Sequence, residues 1–175
     1  MLLDAKEDKS ILIVSVYQSC NTNTEGHNTF HLQQKLMMSM QNRADVHPRR
    51  NFLKDLSQFL KGKISKDPNI TPILLGDWNE SMRDDLTACK LAELFGLVDV
   101  WEHNHDEEFP TYSRGRRRID FALTTPTIAS HSKITYEPFH SRLKGDHRAF
   151  YIECIEKDIF GNQLDPITNF APVEN

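Results

Sequence analysis

Six side chains in this 175-residue sequence have the types and spacing to do chemistry together: Tyr17, Asp77, Asn79, Asp120, Asp146 and His147. Asp77 and Asn79 close the stretch PILLGDWNES (72–81), where an apolar strand runs into Gly, Asp, Trp and Asn. A carboxylate delivered from such a strand is costly unless it is paired or holds a cation. The ten residues alone read as a turn, because Gly, Asp and Asn are usual where a strand stops. The rest of the chain favours a site. Two-residue spacing in extended chain sets Asp77 and Asn79 on one face. Tyr17 closes SILIVSVYQ (10–18), Asp120 lies in RRRIDFALT (116–124), and Asp146 and His147 follow Gly145 at the start of a last strand. An Asp–His pair with further carboxylates beside a basic strand is what metal-assisted phosphodiester hydrolysis needs. Carboxylates alone repel a phosphate, so a cation must intervene.

Other candidates read more quietly. In HNHDEE (103–108) His103 and His105 share a face only if extended, and nothing downstream completes a zinc set, so a solvated loop is expected. Of the arginines in SRGRRRID (113–120), Arg117 or Arg118 is expected to pair with nearby acids. Arg114 and Arg116 are candidates for a nucleic-acid backbone. Trp78 points away from Asp77 and Asn79 and is expected in the core rather than as a stacking platform. His140 is expected in a loop near the site mouth, without a chemical role.

The elements that must position these residues follow from periodicity. SILIVSVYQ is a buried strand. Helices are expected over 29–42, with Phe30, Leu32, Leu36, Met37 and Met40, and from Pro48, with Phe52, Leu53, Leu56, Phe59 and Leu60 at helical spacing. These stripes read as core contacts rather than a cofactor box. DDLTACKLAELFG is a short helix closed by Gly96. LVDVWE is a short strand or extended segment, RRRIDFALT a strand with Ile119, Phe121 and Leu123 opposite Asp120, and HSKITYEPF and HRAFYIECIE two more. Interleaved strands and helices make a layered α/β or α+β domain.

Composition sets bounds. No apolar run approaches the ~20 residues that cross a bilayer, so no membrane partner is expected. The opening MLLDAKEDKS has no basic-then-apolar pattern of a secretory signal. Cys20, Cys89 and Cys154 are odd in number and far apart, which suits reduced thiols in a nuclear or cytoplasmic, intracellular protein. A net charge of -4 disfavours a broad grip on nucleic acid and leaves the local arginine cluster to meet phosphate.

GDWN, then RRIDFAL, then GDHRAF, with VSVY upstream, resemble the motifs of the endonuclease/exonuclease/phosphatase superfamily in the same order over roughly residues 11–154. This is the fold of DNase I, the apurinic/apyrimidinic endonucleases and the endonuclease domains of non-LTR retrotransposons; the stretch 29–60 is similar to the retroelement branch. The resemblance implies an α+β, four-layer sandwich in which two packed β-sheets are flanked by helices. It would occupy residues 1–157, with 158–175 as a C-terminal tail. It also implies roles. His147 contacts the scissile phosphate, and Asp120 accepts a hydrogen bond from its ring. Asp77 orients or deprotonates the attacking water. Asn79 hydrogen-bonds water or phosphate, and Tyr17 donates its hydroxyl to a phosphate oxygen. Asp146 helps hold Mg²⁺, or Mn²⁺ in its place.

The sequence departs from the family at the front. The superfamily's early strand with an Asn, and its Gln-Glu pair whose Glu is the main metal ligand, have no counterpart here; Gly145 stands where Ser is usual. The expectation is therefore a nuclease domain lacking its first strands, with impaired catalysis and exposed sheet edges that favour self-association or a longer parent protein. The leading function is DNA endonuclease of retroelement or repair type. The alternatives are a non-catalytic domain that binds nucleic acid or a partner chain, and a phosphatase or sphingomyelinase of the same superfamily.

Overall fold

A computed structural model of the chain describes residues 2–4, 9–20, 30–84, 86–141 and 145–154. The expected C-terminal tail, 158–175, lies outside the described residues.

Five strands form the main sheet in the order β1-β2-β3-β5-β4: β1 (Leu2–Asp4), β2 (Ser10–Tyr17), β3 (Ile70–Asp77), β5 (Asp120–Thr124) and β4 (Val98–Asp99). β2 and β3 are parallel, and the other pairs are antiparallel. A parallel pair needs a long crossover, supplied here by α1 (Phe30–Met40) and α2 (Pro48–Ile64). α3 (Thr87–Phe95) ends at Gly96 in the left-handed region, with φ 62°. A second sheet pairs β6 (Ser132–Tyr136) with β7 (Phe150–Cys154). Two short helices, α4 (Val100–Asn104) and α5 (Pro126–Ser130), contact each other and β6.

Alternation along the strands divides the core. Leu12, Val16, Leu74, Phe121 and Leu123 face α2 and α3, meeting Leu60, Leu91 and Ala92. Ile11, Ile73 and Ala122 face the other way, toward Ile128, Ala129, Ile134 and Ile152. Asp120 therefore opens toward the second sheet while Phe121 and Leu123 face the helices, as their alternation requires.

The α+β class and the two packed sheets stand as expected. The four-layer form is realised as three layers among the described residues: Lys133, Tyr151 and Glu153 on the outer face of β6–β7 are exposed. Other expectations are corrected. RRRIDFALT is a strand only from Asp120, because Arg117 and Arg118 turn aside to Asp84 and Asp99. LVDVWE gives only the two residues of β4 before α4 begins, since Asp99 caps that helix through Trp101 N at 2.8 Å. β1 and α5 were not expected at all.

The largest correction is α1. Its apolar stripe is not core: Leu36, Met37 and Met40 are 63%, 58% and 75% exposed, and Phe30 and Leu32 are exposed too. The helix instead buries His31, whose Nδ1 meets Ser19 Oγ at 3.4 Å. A polar anchor thus sets the rotation of this helix. In α2, Phe52, Leu53, Leu56 and Leu60 reach the core, but Phe59 is exposed under the Lys63 ammonium.

Candidate active site

Three candidate residues share one rung of the main sheet. Tyr17 of β2 is the register partner of Asp77 of β3, which is in turn the partner of Asp120 of β5. One rung earlier, Gly76 pairs with Val16 at φ 147°, and a Cβ there would lie 1.9 Å from the Val16 carbonyl oxygen. Only glycine lets β2 and β3 close to this distance immediately before the polar rung.

The segment after Asp77 is a turn that also builds the site. Asn79 takes φ 50°, a left-handed conformation that Asn tolerates. Its backbone N–H donates to Asp77 Oδ1 at 2.9 Å; its Nδ2 donates to Asp77 Oδ2 at 3.1 Å and to the Gln18 carbonyl at 2.7 Å. Both amide hydrogens of Asn79 are thereby committed. It anchors Asp77 and ties β3 to the end of β2; its side-chain oxygen accepts no hydrogen bond among the described residues, and it does not donate to a phosphate in this geometry. Trp78 lies on the opposite face, fully buried and stacked on Phe121 at 5.3 Å.

His147 reaches Asp120 from outside the strands. Its Nδ1 lies 2.9 Å from Asp120 Oδ2 and 3.2 Å from Oδ1. This fixes the Nδ1–H tautomer and turns Nε2 outward. A short ladder holds the segment in place: Tyr112 bridges His147, Ser113 N donates to the Asp146 carbonyl and Arg148 N to the Thr111 carbonyl, both at 2.7 Å. The Thr111 hydroxyl accepts from Ile119 N and Asp120 N at 2.9 and 3.1 Å. Tyr136 donates its hydroxyl to the Asp120 carbonyl at 2.9 Å. Burial pushes that hydroxyl well above its ordinary pKa, so it stays a donor.

Ligand atoms of Asp77, Asp120 and His147 all fall within 4.8 Å of one another. Burial pushes the Asp77 carboxyl above its ordinary range; the Asn79 N–H opposes this and the charge of Asp120 adds to it. Burial also raises Asp120, against the hydrogen bonds from His147 and Thr111. For His147 burial pulls down, but the Asp120 hydrogen bond and the charges of Asp120, Asp77 and Asp146 leave the imidazole above its usual value.

Asp146 stands apart from this trio. Its exposed carboxylate pairs with Arg114 at 3.4 Å, and the Arg114 guanidinium lies over the Tyr112 ring. The four arginines diverge. Arg118 is buried against Asp99 and Glu102 at 2.7 and 3.1 Å, and Arg117 pairs with Asp84. Arg116 is exposed and has no ion pair among the described residues. His103 and His105 do not converge: one meets Ser130 at 2.9 Å, the other stacks on Trp101. His140 is an exposed loop residue with φ 63°.

Sequence reasoning missed a buried pair beneath the site. Glu80, next to Asn79, is 3% exposed and pairs with Arg49 of α2; it also accepts from Ala88 N in α3. Arg49 further donates to the Ser19 and Asn79 carbonyls at 3.1 and 3.3 Å. One guanidinium thus clamps the segments leaving β2 and β3. The signal for Glu80 was its adjacency to Asn79. Arg49, Thr111 and Tyr112 gave none, because their partners are remote in sequence.

No protein-family model matches the chain, and a search of curated proteins finds no match.

Proposed function

We propose that the chain is a metal-dependent phosphodiester hydrolase of the endonuclease/exonuclease/phosphatase type, acting on DNA as an endonuclease. The observation that carries this reading is the shared rung of Tyr17, Asp77 and Asp120, with His147 bound to Asp120. Asp77, held at both oxygens by Asn79, is the acceptor for a proton from water. Asp120 keeps the His147 ring oriented and favours its imidazolium form, in which the outward Nε2–H donates to a phosphate oxygen as negative charge builds. The exposed Tyr17 hydroxyl, beside Asp77, donates to another. Arg114 and Arg116 meet the DNA backbone.

The donor set fits Mg²⁺ or Mn²⁺. Two carboxylates face each other on one rung, burial raises the pKa of both, and a divalent cation would offset both burial and mutual repulsion; oxygen donors suit a hard ion. Asp120 would hold it, with Asp146 joining on release from Arg114, and Asp77 beside it stays the acceptor for the water proton. Its chemistry would be charge neutralisation at the phosphate and activation of water.

The exposed Arg116, without an ion pair among the described residues, also supports a second reading, in which the domain binds nucleic-acid backbone without cutting it. Nicking of supercoiled plasmid by the purified chain with Mg²⁺ or Mn²⁺ separates the two. The hydrolase reading expects nicking that Asp77→Ala and His147→Ala each reduce by at least ~100-fold while circular dichroism stays unchanged. A folded wild-type chain that binds plasmid but never nicks it overturns the hydrolase reading.

A further inference from the structure

A cavity of about 790 Å³ is lined by Arg148, the neighbour of His147 in sequence, and by none of Tyr17, Asp77, Asp120 and His147. Its wall is a cluster of rings: Trp101 and Phe109 are 4.9 Å apart, Phe109 and Tyr136 4.8 Å, and Trp101 and Tyr136 5.6 Å. Arg148 and Lys133 line it with positive charge, against one acid, Glu107. His147 and Arg148 are neighbours in sequence with separate surroundings: His147 meets Tyr112 and Asp120, whereas Arg148 meets Phe109 and Phe139.

Arg148 is the informative residue. Its guanidinium lies 5.3 Å from the Phe109 ring centre and 4.6 Å from that of Phe139. Its Nε is buried without a hydrogen-bond partner, and no carboxylate pairs with the side chain among the described residues. Every other arginine of the site region has an acid except Arg116, which is in open solvent. A half-buried cation, fixed in direction by two rings and lacking a counter-charge, is matched to an anion brought from outside.

We propose that this cavity binds a base-plus-phosphate unit, with the phosphate on Arg148 and Lys133 and the base against the ring wall of Trp101, Phe109 and Tyr136. A guanidinium presents its donors as a fork that fits phosphate oxygens. Aromatic walls accept any base through its π-face. The volume lies within the range of about 300–1,000 Å³ typical of small-molecule sites. The unit comes either from a free mononucleotide or from a nucleic-acid strand that passes the catalytic cluster. Binding here does not require the hydrolase reading.

The chain reports on the cavity by itself. It has two tryptophans: Trp101 lines the cavity, while Trp78 is fully buried on the helix side of the main sheet. Intrinsic fluorescence is titrated with dAMP, and separately with a short single-stranded oligodeoxynucleotide, in EDTA so that no hydrolysis intervenes. Trp101→Phe assigns the signal. The expected result is a saturable change with dAMP, the oligonucleotide or both. Arg148→Gln weakens it at least ~10-fold, and Lys133→Ala, at an exposed position of β6, weakens it severalfold. Saturation by dAMP identifies the free nucleotide as a source, and saturation by the oligonucleotide alone identifies the strand. Deoxyadenosine and inorganic phosphate each bind at least ~10-fold more weakly than the unit that joins them. Absence of any saturable change, binding unaltered in both variants, or benzoate binding as tightly as dAMP overturns the proposal. A chain that fails to nick plasmid still gives a decisive titration.

Discussion

Asp77 and Asp120 are direct register partners on antiparallel strands, and a side chain that enters from outside the sheet, His147, hydrogen-bonds one of them. Two acids opposite each other repel, and cross-strand like charges are normally destabilising. Here the repulsion is tolerated because each carboxylate is held separately: Asp77 by the backbone N–H and side-chain amide of Asn79, Asp120 by His147. The arrangement stores a demand for positive charge at the end of an otherwise apolar sheet.

The His147–Asp120 pair sets a titration. Followed by NMR, the His147 ring is expected to titrate above the ordinary value of about 6.5. Asp120→Asn removes that residue's hydrogen bond and charge and leaves burial opposed only by the charges of Asp77 and Asp146, so the midpoint falls below that of the parent. Because the folded pKa is raised, the pair stabilises the fold fully below the unfolded-state value and loses that contribution as pH rises through the folded value. An unchanged midpoint in Asp120→Asn contradicts the geometry.

Gly76→Ala tests the close approach before the rung. The added Cβ meets the Val16 carbonyl at a φ that only glycine adopts freely. Urea denaturation is expected to show a loss of at least ~2 kcal/mol. A variant as stable as the parent means that β2 and β3 do not approach as described.

Removing one member of the Arg49–Glu80 pair leaves a buried charge alone. Glu80→Ala and Arg49→Ala are each expected to cost about 3–5 kcal/mol, and the double variant much less than their sum. Additive losses show the two to be independent.

Arg114 and Arg116 differ in what they already touch. Arg116→Ala is expected to reduce the salt dependence of DNA binding by about one counterion. Arg114→Ala changes it less, since that arginine is shared with Asp146. Equal slopes for the parent and Arg116→Ala remove Arg116 from the DNA contact.

Much of this site was legible because its signals are local. The two-residue step from Asp77 to Asn79, the facing of Asp120 away from Phe121 and Leu123, and the core position of Trp78 all follow from strand periodicity. What stayed hidden depends on partners far along the chain. Arg49 looked like an ordinary first-turn helix residue until the fold brought it to Glu80, 31 residues on. Thr111 sits in a loop with no periodicity, yet its hydroxyl fixes the backbone of Asp120. The apolar pattern of α1 misled for another reason. Periodicity tells that a helix has an apolar side, and the contact of His31 with Ser19 decides that this side faces out.

The shared rung of Tyr17, Asp77 and Asp120 also bears on how the protein comes into being. Its three members are brought into register by pairings between distant segments, and His147 arrives from a fourth. Loop closure over such separations is slow and must precede any reward from the contacts it makes. No helix, hairpin or early collapsed fragment contains the constellation in miniature. During synthesis the emerging chain carries its acids scattered until the segment around His147 has docked.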